Sequence, residues 1–373
     1  MKTLNFKVPF SGFCSTTFIN CFASVYMYLE GMEGINESAT FCNEWANGQC
    51  NGCGNCATKP QTLQEHFFFL FDTMCGHSSL RCRYNGQPTV MEALINGEGD
   101  FYDGGSKDNI NFLFGFAGYD YRTVTDVTLM KNEIAASIES GKPVIVRLKN
   151  NVVPFAVVIG YNDDALICPK FRAAQKVPVP EVSYDGIVEL YIIEKKIKPR
   201  YTIVDGLNRI ESVMEYSLTE DLWESYMKKF DTYGSGSLSE DKQEGRKQRM
   251  QRLTATMWHT FNCYNFAEVF RIYIDENKPR QIYECVGDIN ILGNQSFAEI
   301  LQTISLRYGY THDLAWSLIG LGECINWDDW KSQYYGEPIK LVISKIKEND
   351  EVVLECIKKL ITMLGGIEAE EDL

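Results

Sequence analysis

Between residues 15 and 30 the apolar side chains Phe18, Cys21, Phe22, Val25, Met27, Tyr28 and Leu29 recur at helical spacing, and Gly31 closes the stripe. The spacing predicts a helix over 15–30 whose first turn Ser15, Thr16 or Thr17 can cap. Ahead of it residues 2–8 alternate weakly between polar and apolar, which predicts a short strand. Residues 36–59 are polar, rich in Gly and Cys, and without regular period. Residues 61–74 hold the dense run Phe67-Phe68-Phe69-Leu70-Phe71, and Gln64 and Glu65 lead into it without turn residues. A buried helix is therefore expected there rather than a strand. A further helix is predicted from Pro88 to Ile95, stopped by Asn96-Gly97.

The pattern then changes from helical to extended. Residues 131–140 read as a helix, Gly141-Lys142-Pro143 breaks it, and residues 144–148 are strand-like. Residues 156–161 and 165–168 flank Asn162-Asp163-Asp164 as a hairpin would, and residues 186–194 and 201–204 complete a β-rich set. Helices followed by an antiparallel sheet make an α+β domain. After Asn208 helical patterns return over 211–230, 239–270, 297–308, 313–321 and 337–363, with Gly234-Ser235-Gly236-Ser237 as a flexible connection. The division expected is an α+β domain over 1–208 and an all-α domain over 209–373, the latter with no chemistry of its own in its sequence.

Composition narrows the partners. The 373 residues are 45% hydrophobic and 13% aromatic, enough for a sizeable core. Fifty acidic against 36 basic residues give a net charge of −14, which repels phosphate backbones and anionic lipid. Neither nucleic acid nor membrane is an expected partner. With no basic-then-apolar leader pattern and no uncharged run of about 18 residues, the expected location is cytoplasmic. Thirteen cysteines in such a chain argue for reduced thiols or a metal site rather than a disulfide framework.

Three groups of residues could carry chemistry. Cys14, in Gly12-Phe13-Cys14-Ser15-Thr16-Thr17, stands where a loop gives way to a helix. The positive end of the helix dipole and free N–H groups there favour a thiolate, while the plainer alternative is a small buried hydrophobe. Cys42, Cys50, Cys53 and Cys56, interleaved with Gly48, Gly52 and Gly54, have spacings that let thiolates converge on one ion. A structural zinc is expected, with iron–sulfur binding, Cys75 as an alternative ligand, or free thiols as the other readings. Asp100, Asp103 and Asp108 read as a solvated Gly-rich turn in preference to a calcium loop, and Trp327-Asp328-Asp329-Trp330 as packing.

A resemblance gives the first of these groups a role. Gly141-Lys142-Pro143-Val144-Ile145-Val146, followed by Pro154-Phe155-Ala156-Val157-Val158-Ile159-Gly160-Tyr161-Asn162-Asp163-Asp164, resembles the second half of the C39-like peptidases and of the N-terminal domain of butirosin biosynthesis protein H. Gly12-Phe13-Cys14-Ser15-Thr16-Thr17 is similar to the nucleophile segment of the butirosin-type proteins. The resemblance spans roughly residues 1–205 and implies a papain-like fold with Cys14 as nucleophile on a peptide, amide or thioester carbonyl. It also places the family's histidine on Phe155 and its ring-orienting Asp or Asn on Cys168. Of the four histidines, His66, His77, His259 and His312, His77 in Cys75-Gly76-His77-Ser78-Ser79 is the substitute base by its place in a loop of the same domain. Phe13 and Phe155 would then line the substrate. The alternatives are an inactive protein that holds a peptide or acyl-carrier group in the old cleft, and a metal-stabilised interaction protein in which Cys14 is core. The helical domain could cover the cleft, form a homodimer or recognise a carrier protein.

Overall fold

The structure, a computed structural model, describes residues 2–8, 17–32, 63–76, 79, 106–149, 155–162, 165–169, 182–219, 299–300, 303–304, 306–311, 314 and 336–371. The chain divides into two compact units, one of Met1–Asp72 with Asp100–Thr202 and one of Thr73–Gly99 with Ile203–Leu373.

The first unit is α+β in its described residues. Its elements, in chain order, are β1 (Lys2–Thr3), α1 (Thr17–Leu29), α2 (Leu63–Met74, whose last two residues belong to the second unit), α3 (Lys107–Ala117), β2 (Tyr119–Val124), α4 (Val127–Glu139), β3 (Val144–Leu148), β4 (Phe155–Val158), β5 (Gly160–Tyr161), β6 (Leu166–Ile167) and β7 (Ile187–Lys196). The helices begin where their caps dictate. The Ser106 side chain accepts from the Asn109 N–H at 3.1 Å and opens α3, and Asp126 accepts from the Thr128 N–H at 2.9 Å and opens α4. Gly118, at φ 75°, ends α3 in the left-handed conformation that glycine adopts without strain.

Four strands form an antiparallel sheet in the order β2-β7-β3-β4, and β1-β5-β6 form a second, smaller one. The expected hairpin is present, with Gly160 opposite Ile167 and Tyr161 opposite Leu166, and the Asn162 side chain accepts from the Ala165 N–H at 2.6 Å. Strand alternation gives the larger sheet two unlike faces. On one, Val144, Val146, Ala156, Val158, Leu190 and Ile192 pack with Met130, Ile134 and Ile138 of α4 in a single aliphatic core. On the other, Phe155 and Tyr191 meet Phe18 of α1, and Tyr121 stacks on Phe114 of α3.

Four elements differ from the sequence expectation. The strand expected over 2–8 is only Lys2–Thr3. The strand expected over 201–204 is replaced by a helix that begins at Ile203, ahead of the 211 start read from the pattern. Tyr201 stacks on Phe112 at 5.1 Å, and the Arg200 N–H donates to the Gly115 carbonyl at 2.8 Å. That contact ties the chain to α3 rather than to a sheet edge, and a Cβ on Gly115 would sit 2.6 Å from the Tyr201 ring. Asp108 is in the first turn of α3, where a carboxylate favours the helix dipole, and not in a loop. Strand β2 is not among those expected.

The second unit is helical in its described residues. α5 (Ile203–Thr219) packs with α6 (Gly336–Glu371), and Glu215 of the first pairs with Lys358 of the second at 2.9 Å. Asn349 of α6 donates to the Thr311 hydroxyl at 3.2 Å. Gly206 leaves room for Met74, whose sulfur would lie 2.6 Å from an added Cβ, and Arg209 donates to the Cys75 carbonyl at 2.7 Å. Among the described residues no helix is long and apolar enough to cross a membrane.

Candidate functional site

The helix that follows Cys14 lies along the aromatic face of the sheet. Phe18, in the first turn of α1, contacts Phe155 at 5.2 Å and Tyr191 at 5.6 Å, both edge to face. One turn on, Phe22 meets Phe114 at 4.9 Å and Phe71 at 5.0 Å, and at the far end Tyr26 meets Tyr119 at 6.4 Å. Glu30, just past the helix, binds Lys196 of β7 at 2.6 Å and accepts from the Tyr119 hydroxyl at 2.7 Å. From Phe18 to Glu30 a helix rises about 18 Å, and from Tyr191 to Lys196 a strand rises about 17 Å. These two end contacts give α1 and β7 the same sense, with their N-terminal ends together.

A buried polar cluster fixes the helix in that position. Gln64 of α2 donates to the Asn20 side chain at 2.7 Å and to the Ser24 hydroxyl at 3.2 Å, and all three residues are buried. Its side-chain oxygen has no hydrogen-bond partner among the described residues. The two donors of the Gln64 amide hold the two helices in register.

At the N-terminal end of α1 three strands contribute one row of side chains. Phe155, the first residue of β4, is opposite Arg147 of β3, and Arg147 is opposite Glu189 of β7. Phe155 is fully buried, its ring under the Arg147 guanidinium at 5.6 Å. The Tyr191 hydroxyl donates to the Glu189 carboxylate in a short hydrogen bond. The row thus places a cation and a carboxylate at the edge of an otherwise aromatic and aliphatic surface. Glu189 reaches Tyr121 as well: burial pushes the Tyr121 phenol up, Arg200 draws it down and Glu189 pushes it further up. At the opposite end of α1, Tyr119 is raised far more, by burial first and then by its bond to Glu30.

Cys168 lies just beyond β6 and packs against the aliphatic core. Burial pushes its thiol up to about 12, so it stays protonated at neutral pH and supplies no negative charge. Of the other residues singled out in the sequence, Phe13, Cys14, His77, Cys42, Cys50, Cys53 and Cys56 lie outside the described residues, as do Asp100, Asp103, His259, His312 and the 327–330 motif. The backbone at His66 is helical, within α2. Among the described residues no group of three or more His, Cys, Asp or Glu could hold a metal ion. The structure therefore brings Phe155 to the first turn of α1 and leaves Cys168 on another core. Arg147 and Glu189, which no sequence motif marks, are found only through strand register.

No family model, curated protein or solved structure matches the chain.

Proposed function

We propose that residues 1–208 form a papain-like domain in which the Cys14 thiolate accepts an acyl group, and that residues 209–373 form an all-α domain. The observation that carries this reading is the contact of Phe155 and Tyr191 with Phe18. It puts the β4 position that matches the family's histidine against the first turn of the helix that follows Cys14.

The chemistry then follows from what stands at that position. A thiolate attacks the acyl carbon, a new C–S bond forms, and the carbonyl electron pair moves to oxygen and returns as the leaving group departs. A peptide nitrogen departs only with a proton, which a phenyl ring cannot give. A thioester expels a thiolate whose conjugate acid has a pKa of about 8.5, and needs no proton at that step. Phe155 in place of imidazole thus favours a thioester donor over an amide. Water or an amine resolves the acyl-enzyme and loses its proton to solvent.

The test is to expose the full chain to a small acyl thioester and map the adduct by mass spectrometry. The reading expects acyl transfer to Cys14, abolished in Cys14→Ala, with the remaining cysteines unmodified. Equal labelling of exposed cysteines, unchanged in Cys14→Ala, contradicts it. The second reading, an inactive protein that holds a peptide or carrier-borne acyl group, draws support from the burial of Phe155 and the raised Cys168 thiol. It expects binding of an acyl-carrier mimic with no adduct.

A further inference from the structure

Between β7 and α5 the chain lies along the C-terminal half of α3. The Ile197 N–H donates to the Gly118 carbonyl at 2.9 Å, the Arg200 N–H donates to the Gly115 carbonyl at 2.8 Å, and the Tyr201 ring stacks on Phe112. α3 carries a notch for this stretch. A Cβ on Gly115 would meet the Tyr201 ring at 2.6 Å, and one on Gly118 would meet the Ile197 carbonyl at 2.9 Å. Alanine inside a helix is ordinarily better than glycine, so Gly115 weakens α3 in favour of the segment docked on it. Pro199 pre-shapes that segment, because its ring fixes its own φ and biases Lys198 toward extended backbone.

What holds the segment is slight beside what holds the neighbouring sheet. Tyr201 is 36% exposed, and Lys198 and Arg200 are exposed. The ion pair of Arg200 with Asp120, at 3.6 Å, is open to solvent and contributes little. Lys195 also reaches Asp120, at 3.8 Å, so Asp120 keeps a partner without the segment. β7, by contrast, is paired on both sides, and its Leu190, Tyr191, Ile192 and Ile193 are buried. Segments with few buried apolar contacts open locally at a lower free energy than core strands. Thr202 is the last residue of the first unit, and Ile203 begins α5. From these observations we infer that residues 197–201 are a detachable strap, seated in the glycine notch of α3 and able to lift off as one piece while β2, β3 and β7 stay folded. Once off, residues 197–202 give the chain entering α5 about 20 Å of slack. The strap is thus a conformational device where the chain passes from one unit to the next, and it does not depend on the reading of Cys14.

The experiment is native-state hydrogen exchange with limited trypsin digestion on the full chain, for wild type, Gly115→Ala and Tyr201→Ala. In wild type the Ile197 and Arg200 amides should be protected, yet exchange at least about tenfold faster than the slowest amides of β3 and β7, with a weaker dependence on added denaturant. The bond after Arg200 is the informative tryptic site, since Pro199 shields the one after Lys198. Gly115→Ala should remove the protection of both strap amides and speed cleavage after Arg200 by about tenfold, with the β3 and β7 amides unchanged. Tyr201→Ala, which leaves the helix untouched, should act in the same direction and less strongly. Strap amides that exchange together with those of β7 would make the segment an integral part of the sheet domain and overturn the inference. Strap amides without protection in wild type overturn it too, as does a folded Gly115→Ala variant in which cleavage after Arg200 is unchanged.

Discussion

The two faces of the four-stranded sheet are made of the same strands and differ in everything that follows from side-chain identity. The face toward α4 is Val, Ile, Leu and Ala, closed by Met130, Ile134 and Ile138. The face toward α1 is aromatic, with edge-to-face ring contacts, and ends in Arg147 and Glu189. Aliphatic packing of the first kind contributes about 1.5–3 kcal/mol per buried side chain and asks for no particular direction. Aromatic edges and a charged row fix orientation, and orientation is what a reacting group requires. The lesson is that one face holds the unit together while the other aims the start of α1.

Substitutions on each face should separate these tasks. The largest effect is expected from Phe155→His, which places an imidazole in the row beside α1. If the row serves the Cys14 chemistry, acyl hydrolysis at neutral pH rises by about 10²–10⁴-fold, measured as thioester turnover. An unchanged rate in a folded variant would break the link between this row and the nucleophile. On the other face, Leu190→Ala removes a fully buried side chain and is expected to cost about 2–5 kcal/mol by denaturant unfolding. The Cys14 alkylation midpoint should stay where it is.

A third substitution uses Cys168, a thiol packed against the aliphatic face. Burial raises Cys168 from 9.0 to about 12, so the folded state keeps a proton that the unfolded chain gives up. The corresponding stability is present below pH 9 and is lost as pH rises from about 9 towards 12. Cys168→Ala should therefore lose about 1 kcal/mol less than wild type between pH 8 and pH 10, compared by urea midpoints. The smallest effect is expected at the far end of α1. Lys196→Met breaks an exposed ion pair with Glu30, costs no more than about 1 kcal/mol, and leaves the Cys14 midpoint unmoved.

The sequence made some of this architecture legible and hid the rest for physical reasons. α1, α2, β3 and β7 are dense in apolar residues, and the β5–β6 hairpin carries Asn162 at its turn. α3 and β2 escape the same reading. α3 follows an acidic, Gly-containing stretch and bears Gly115, whose lack of a side chain serves Tyr201 rather than the helix. β2, Tyr-Asp-Tyr-Arg-Thr-Val, is polar at alternate positions and is held as a strand by β7, about 70 residues away in the chain. Tyr201 and its neighbours have strand-like side chains, but their contacts are with α3. For the candidate site, Phe155 and Cys168 could be named because a family pattern points at them. Arg147 and Glu189 could not, since only strand register makes neighbours of residues on β3 and β7.

The central claim is the proposal that Cys14 is a nucleophilic thiol, and two cysteines of the same protein test it in one experiment. Alkylation of the native chain from pH 5 to pH 11 gives a midpoint for Cys14 and another for Cys168. The account predicts Cys14 well below the ordinary thiol value of about 8.5 and Cys168 well above it. A Cys14 midpoint at or above that value would contradict the account, whatever the fold around it.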